Sequence, residues 1–388
     1  MAGSVTFNIS PNVLHWARTA MGYSIEETAS KIGVNSERYE SWELGENKPT
    51  YKQLENLAEK VFKRPIAVLL LSSPPIEDEI QKEFRNLSNS EVTQMSPELR
   101  LALRKAKRYQ RVLEEISINE EAPIFRNFEI RNNEEPEKLA LRLRQFMNFP
   151  ITEQLGWKYD EAYKNFQRKV EELNIYVFKM KIPFDEARAF CLTGDYPVII
   201  LNTEDSNNGR IFSLFHELCH ILLNSNDLFK DTKSKSSSEY QKVEKYCNKF
   251  AASFLVPDPD FFSIISHQVK PIASESNIDA IAIKYKVSKE VIARKFCSMD
   301  LLEESDFWRM KKNWDRLARA AKEKQNERLK ESDSGINPGI KIIHEKGKPY
   351  VSKVYNSYTQ GTISSSDLAN FLETKLSNLP KIVERLNY

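Results

Sequence analysis

The chain has 388 residues, of which 40% are hydrophobic, 29% charged and 11% aromatic. That length exceeds one ordinary core and predicts two or three domains. A net charge of only +2 excludes a uniformly basic nucleic-acid coat and leaves local basic clusters to be judged one by one.

The four cysteines, Cys191, Cys219, Cys247 and Cys297, lie far apart without a CxxC pair, against both a disulfide framework and a cysteine zinc knuckle. The start MAGSVTFNISPNVLHW lacks a basic region followed by an apolar core, and no stretch approaches eighteen apolar residues. A cytoplasmic protein without membrane contact is the expectation.

From Pro11 to Leu71 the pattern is of short amphipathic helices. Ser24 precedes IEETASKI with Glu27 three residues on, a capping box that starts a helix at Ile25. Gly33 ends it in a left-handed turn, and a second helix runs from Ser36 to Leu44, giving helix, tight turn, helix. Tyr39 and Trp42, three apart, face the core; Asn35, Ser36, Arg38 and Ser41 project outward. SSPPIEDE at 72–79 is a linker. Within the charged helical stretch that follows, Arg100 to Arg111 carries six basic residues and no acidic one. It is either a solvated face or a phosphate contact.

From Tyr159 a helix leads into NIYVFKM, ARAFCL and YPVIILN, three strand-like runs that predict a small antiparallel sheet. Two strongly patterned helices follow at about 209–224 and 239–255, the second ended by Pro257 and Pro259. IDAIAIKYKVSKEVIARKFCSMDLL again reads as helix, turn, helix, and Trp308 to Glu331 as a modestly basic helix. SDSGINPG marks a last linker before a small C-terminal α+β tail. The domains expected are 1–72, helical; 73–155, linker and charged connector; 156–260, the core with the sheet; 261–332, helical with the basic helix; and 333–388, the tail. The fold class is α+β, mostly α.

GRIFSLFHELCHILL contains the HExxH pattern. His216 and His220 at i and i+4 share one helix face, so two imidazoles reach one metal ion from a rigid element. Glu217 is offset from the pair, outside the ligand shell but placed to take a proton from water as general base. Zinc needs a third protein ligand, and the downstream candidates are Asp231, Glu239, Glu244 and His267. Spacing does not separate Glu244 from Glu239. Cys219 is read as a core residue, and His15, His267 and His344 as unrelated to the metal.

HELCH followed by E-x-x-x-N-x-F-A-x-x-x-L-V-P resembles the ImmA/IrrE family of bacterial metallopeptidases. ETASKIGVNSERYESWELGENKPT resembles XRE-type, lambda-repressor-like DNA-binding domains. The two resemblances cover roughly 10–72 and 160–300. They imply a five-helix N-terminal domain and a zincin-like peptidase, with Zn2+ held by His216, His220 and Glu244 and catalysis by Glu217. Asn248 is a candidate for a supporting hydrogen bond. They further imply that the helix around Ser36 enters a major groove, with Arg38 donating to guanine, Asn35, Ser36 and Ser41 near bases or phosphates, and Lys48 on a phosphate. Binding as a homodimer is implied too. Glu37, Glu40, Glu43 and Glu46 weaken that surface for DNA, so a protein-contact role for the module stays open. The function expected is a DNA-associated regulatory zinc peptidase that cuts a repressor-like protein. The alternatives are a non-cleaving regulator with a peptidase-like sensor and a toxin-antitoxin or phage-defence component.

Overall fold

The structure, a computed structural model, describes residues 8–76, 95–118, 123–225, 237–267, 273–331 and 337–386, without the side chains of 224–225, 237–240 and 321–331. The described residues form two compact units, one within 1–107 with 181–187 and the other within 108–180 with 188–388.

The first unit begins with five helices: α1 (Pro11–Met21), α2 (Ile25–Ile32), α3 (Ser36–Glu43), α4 (Tyr51–Asn56), prolonged by a π-helical turn at Leu57–Phe62, and α5 (Ile66–Leu69). Their boundaries follow from local chemistry. The Ser24 hydroxyl accepts the Glu27 amide at 3.1 Å, while the Glu27 carboxylate accepts the Ser24 amide at 2.8 Å, so two otherwise orphaned donors are satisfied where α2 starts. Gly33 closes α2 at φ 71°, a conformation that costs a side chain but not glycine. Val13, Leu14, Ala17, Tyr39, Trp42 and Phe62 fill the core between the helices.

Helix α6 (Pro97–Ile116) starts in the first unit and ends in the second. Arg108 and Arg111 of its basic run are exposed, but three of its arginines bond backbone carbonyls. Arg104 donates to the carbonyls of Phe62 and Lys63 at 2.9 and 2.7 Å, Arg100 to that of Met95, and Arg108 to that of Asn370. These guanidinium groups answer exposed carbonyls, such as those left at the end of the π-helical turn, a third use beside the two expected.

The second unit contains α7 (Pro136–Phe146), α8 (Ile151–Gly156), α9 (Ala162–Glu171), a sheet of β1 (Tyr176–Met180), β2 (Ala189–Leu192) and β3 (Val198–Asn202), then α10 (Asn207–Ser225), α11 (Ser237–Leu255), α12 (Asp258–Ile265), α13 (Glu275–Tyr285), α14 (Lys289–Cys297) and α15 (Glu304–Glu331). The expectation of an antiparallel sheet is corrected. The strand order is β1-β3-β2; β2 pairs antiparallel with β3 as a hairpin, but β1 pairs parallel with it, Tyr176 opposite Val198. Every residue of β3 is buried, which selects it for the centre, while β2 alternates between buried and half-buried as an edge strand does.

One core runs through this unit, from Phe125 to Phe307. Leu139, Leu143 and Phe149 belong to it, so the segment grouped above with a connector ending at 155 is part of the same core, and so are α13 and α14. The C-terminal helices α16 (Pro338–Lys346), α17 (Lys348–Thr359), α18 (Ser365–Phe371) and α19 (Leu379–Leu386) correct the expected α+β tail, since no strand occurs there among the described residues. Val351 and Val354 are buried at helical spacing, and Pro338 and Pro349 occupy helix starts on either side of Gly347. Tyr350 packs edge-on against Phe178 of β1 at 5.0 Å. No helix among the described residues is long and apolar enough to cross a membrane.

Candidate metal centre and DNA-facing surface

Helix α10 buries Leu214, Phe215, Leu218, Cys219 and Leu222 completely. The pattern turns His216 and His220 to the opposite side. Phe215 stacks on Phe254 of α11 at 4.3 Å and meets Phe166 of α9 edge-on at 5.4 Å, fixing the rotation of α10. Each such ring pair adds about 0.5–1.5 kcal/mol beyond its buried area. The end of α11 is held as firmly. Arg144 donates to the Phe254 carbonyl and Gln154 to the Leu255 carbonyl, both at 2.8 Å, satisfying acceptors that a helix terminus leaves open before Pro257.

Between the two helices three ligand atoms converge. His216 Nε2 and His220 Nε2 are 3.1 Å apart, and each lies 3.2 Å from an oxygen of Glu244. A tetrahedral ion with bonds of about 2.0–2.1 Å separates its ligands by about 3.3 Å. The donor set, two imidazoles and a carboxylate, suits zinc, so the residues present fit the ion. Asn248 Oδ1 lies 3.1 Å from His216 Nδ1 and holds that nitrogen as the donor, leaving Nε2 for the metal.

Burial would raise the Glu244 carboxyl, but hydrogen bonds from His216 and His220 hold it well below the ordinary carboxylate range. Burial would likewise depress His220, but Cys247 and Glu244 hold it above the usual imidazole value. The pocket thus favours positive charge against Glu244.

The other candidates are elsewhere. His267 is exposed and its Nδ1 lies 2.7 Å from the Ser263 carbonyl. Asp231 and the side chain of Glu239 lie outside the described residues. His15 pairs with Glu43, and Cys219 is fully buried. Glu217 faces a cleft of about 830 Å³ that also exposes His216, Asn248, Phe212, Phe262 and Arg294. Sequence reasoning missed two neighbours: Cys247, which adjoins His220 and Cys219, and Cys191 of β2, which adjoins Glu217. Cys247 could have been found from its position three residues after Glu244 on α11. Cys191 arrives from a different element, and no spacing announces it.

On α3, Asn35 is exposed and its Oδ1 accepts the Arg38 amide at 3.0 Å, so half of its amide is committed to capping. Ser36 is half-buried, and Arg38 and Lys48 are exposed. Ser41 corrects the expectation of an outward side chain: it is 8% exposed and donates to the Arg38 carbonyl at 2.8 Å. After α3 the chain folds back across it, the amides of Glu46 and Asn47 both bonding the Ser41 carbonyl. Glu43 is withdrawn from the surface by Arg18, which grips both its oxygens at 2.7 and 2.9 Å.

Residues 170–296 match the family model of the IrrE N-terminal-like domain, peptidase family M78, and residues 14–66 match a helix-turn-helix model. No curated protein and no solved structure matches the chain.

Proposed function

From a chain that joins an XRE-type helix-turn-helix domain to an IrrE-like metallopeptidase-type domain, we propose a DNA-associated regulatory zinc peptidase that cleaves a repressor-like protein. The observation that carries this reading is the convergence of His216, His220 and Glu244 at 3.1–3.2 Å beside the cleft that Glu217 lines. A zinc ion bound there supplies Lewis acidity and lowers the pKa of water. Glu217 takes the proton from attacking water on a carboxylate oxygen and passes it to the leaving amine. The walls of the cleft mix apolar rings with charges already paired inside the protein, such as Lys295 with Asp258 at 2.5 Å.

The helix-turn-helix domain reads duplex DNA through Arg38, supported by Ser36 and the free amide nitrogen of Asn35, with Lys48 on a phosphate. Three exposed glutamates on and just after α3, Glu37, Glu40 and Glu46, keep a single copy weak and favour a homodimer at paired half-sites. The protein works where DNA and repressor are, in the cytoplasm.

The test incubates the full chain and its Glu217→Gln form with the host's repressor-like proteins, with and without duplex DNA, and maps fragments by mass spectrometry. Fragments made only by the unaltered chain support the peptidase. Absence of such fragments with both zinc and manganese moves the reading to a non-cleaving regulator.

A further inference from the structure

Helix α15, 28 residues long, carries a basic stretch that neither the metal centre nor the N-terminal domain uses. Its packed side is narrow. Phe307 is buried in the main core, and Met310 and Trp314 are half-buried against it. Contacts at the edges pin the rotation of the helix: Lys311 Nζ lies 2.9 Å from Glu290, the Trp314 indole donates to Glu275 at 2.7 Å, and Arg294 rests 4.7 Å from the Phe307 ring centre.

The side turned away from that core is basic. Arg309, Lys312, Arg316 and Arg319 are all exposed. At 3.6 residues per turn, their spacing of i, i+3, i+7 and i+10 holds them within an arc of about 80° opposite the packed side, along about 15 Å of helix axis. A helix face that only needs solvation intersperses both signs, so that neighbours pair. Here the carboxylates stand at the borders: Asp306 lies 2.8 Å from Arg309, and Asp315 lies 3.4 Å from Lys311. Arg316 donates to the Asn313 side chain at 3.0 Å, and neither Lys312 nor Arg319 makes an ion pair among the described residues. In the sequence, Glu323 and Glu327 follow on the same row and end the stripe.

A row of cations along a helix is complementary to a polyanion with regularly spaced charges. A lipid surface does not fit, because a helix lying in a membrane interface inserts an apolar face, and the apolar face of α15 is packed against protein. An XRE-type helix-turn-helix domain on the same chain makes duplex DNA the polyanion at hand. We propose that Arg309, Lys312, Arg316 and Arg319 bind the phosphate backbone of duplex DNA, a second DNA contact that is indifferent to sequence. Guanidinium and ammonium groups on phosphates position a protein on the duplex without reading its bases. The choice of DNA rests on the proposed role of the helix-turn-helix domain; nothing in the proposal rests on peptidase chemistry.

The test follows binding of the full chain to a labelled duplex by fluorescence anisotropy across a salt series. Lys312→Gln combined with Arg319→Gln should flatten the slope of log affinity against log salt by about 1.8, since each phosphate contact contributes about 0.9, and should leave the preference between duplex sequences unchanged. Lys348→Gln combined with Lys381→Gln removes the same charge from exposed positions elsewhere and should leave the slope as it is. Asp315→Asn removes a bordering carboxylate and should tighten binding, a gain that misfolding cannot imitate. If Arg38→Ala with Lys48→Ala leaves binding intact while the α15 pair flattens the slope, the helix-turn-helix reading fails and this proposal stands. An unchanged slope in the α15 pair, an equal change in the Lys348 and Lys381 pair, weaker binding in Asp315→Asn, or tighter binding to an RNA duplex of the same sequence would overturn it.

Discussion

Helices α10 and α3 each carry a short polar pattern, but the two patterns behave differently once the chain is folded. On α10, His216 and His220 converge with Glu244 on one point, and their atoms are set by rings packed on the opposite face. On α3 the polar residues spread over a surface, and the fold redistributes them: Ser41 turns inward, Asn35 caps, and Glu43 is taken by Arg18. A site that must close around an ion tolerates little freedom, so its residues are legible as a spacing. A surface that must fit a partner is defined by what remains after the fold has used its polar groups.

That contrast can be broken at several points. The largest effect is expected from Glu217→Gln, which should lower cleavage by about 10²–10⁴-fold, the usual contribution of a general base. Elemental analysis should find its metal content unchanged. A variant cutting at full rate would place the chemistry elsewhere.

Glu244→Ala should next separate ligand from neighbour. Its metal affinity, read by chelator competition, should fall further than that of Asn248→Ala, for which loss of the supporting hydrogen bond to His216 predicts about 10–100-fold. Glu239→Ala should retain metal. If Glu239→Ala and Glu244→Ala lose it equally, the convergence between α10 and α11 is not the binding site.

In the first unit, Trp42→Ala should destabilise the helical domain by about 3–5 kcal/mol, since Trp42 is 3% exposed and meets Tyr39 edge-on at 5.8 Å. Chemical denaturation of the full chain, followed through the helical signal, reports this as an earlier first transition. A loss below about 1 kcal/mol would mean that the ring pair does not anchor α3.

The smallest effects belong to the surface. Lys48→Ala should weaken binding to all duplexes alike and reduce the salt slope by about one, whereas Arg38→Ala should cost about 1–3 kcal/mol on a preferred sequence and relax its preference. Ser41→Ala should alter helix-end stability rather than sequence preference, because its hydroxyl is engaged with the Arg38 carbonyl. A change of sequence preference in Ser41→Ala, measured by competition between duplexes, would return it to the contact surface.

The sequence by itself determined what depends on neighbours within one or two turns. The capping box at Ser24, the stop at Gly33, the i and i+4 histidines of α10 and the burial of Tyr39 and Trp42 all follow from spacing along a single helix. Mostly helical content with a small sheet was legible for the same reason. Glu244 was one of four candidates until a family resemblance singled it out, because its partners lie on another helix. Tertiary structure alone decided the parallel pairing of β1 with β3, the inclusion of residues 123–155 in the main core, the helical form of the C-terminal region and the arrival of Cys191 beside Glu217. Each of these joins residues from separate elements, and pairing between elements is selected by which faces can be buried together, a property of the assembled core rather than of any local window.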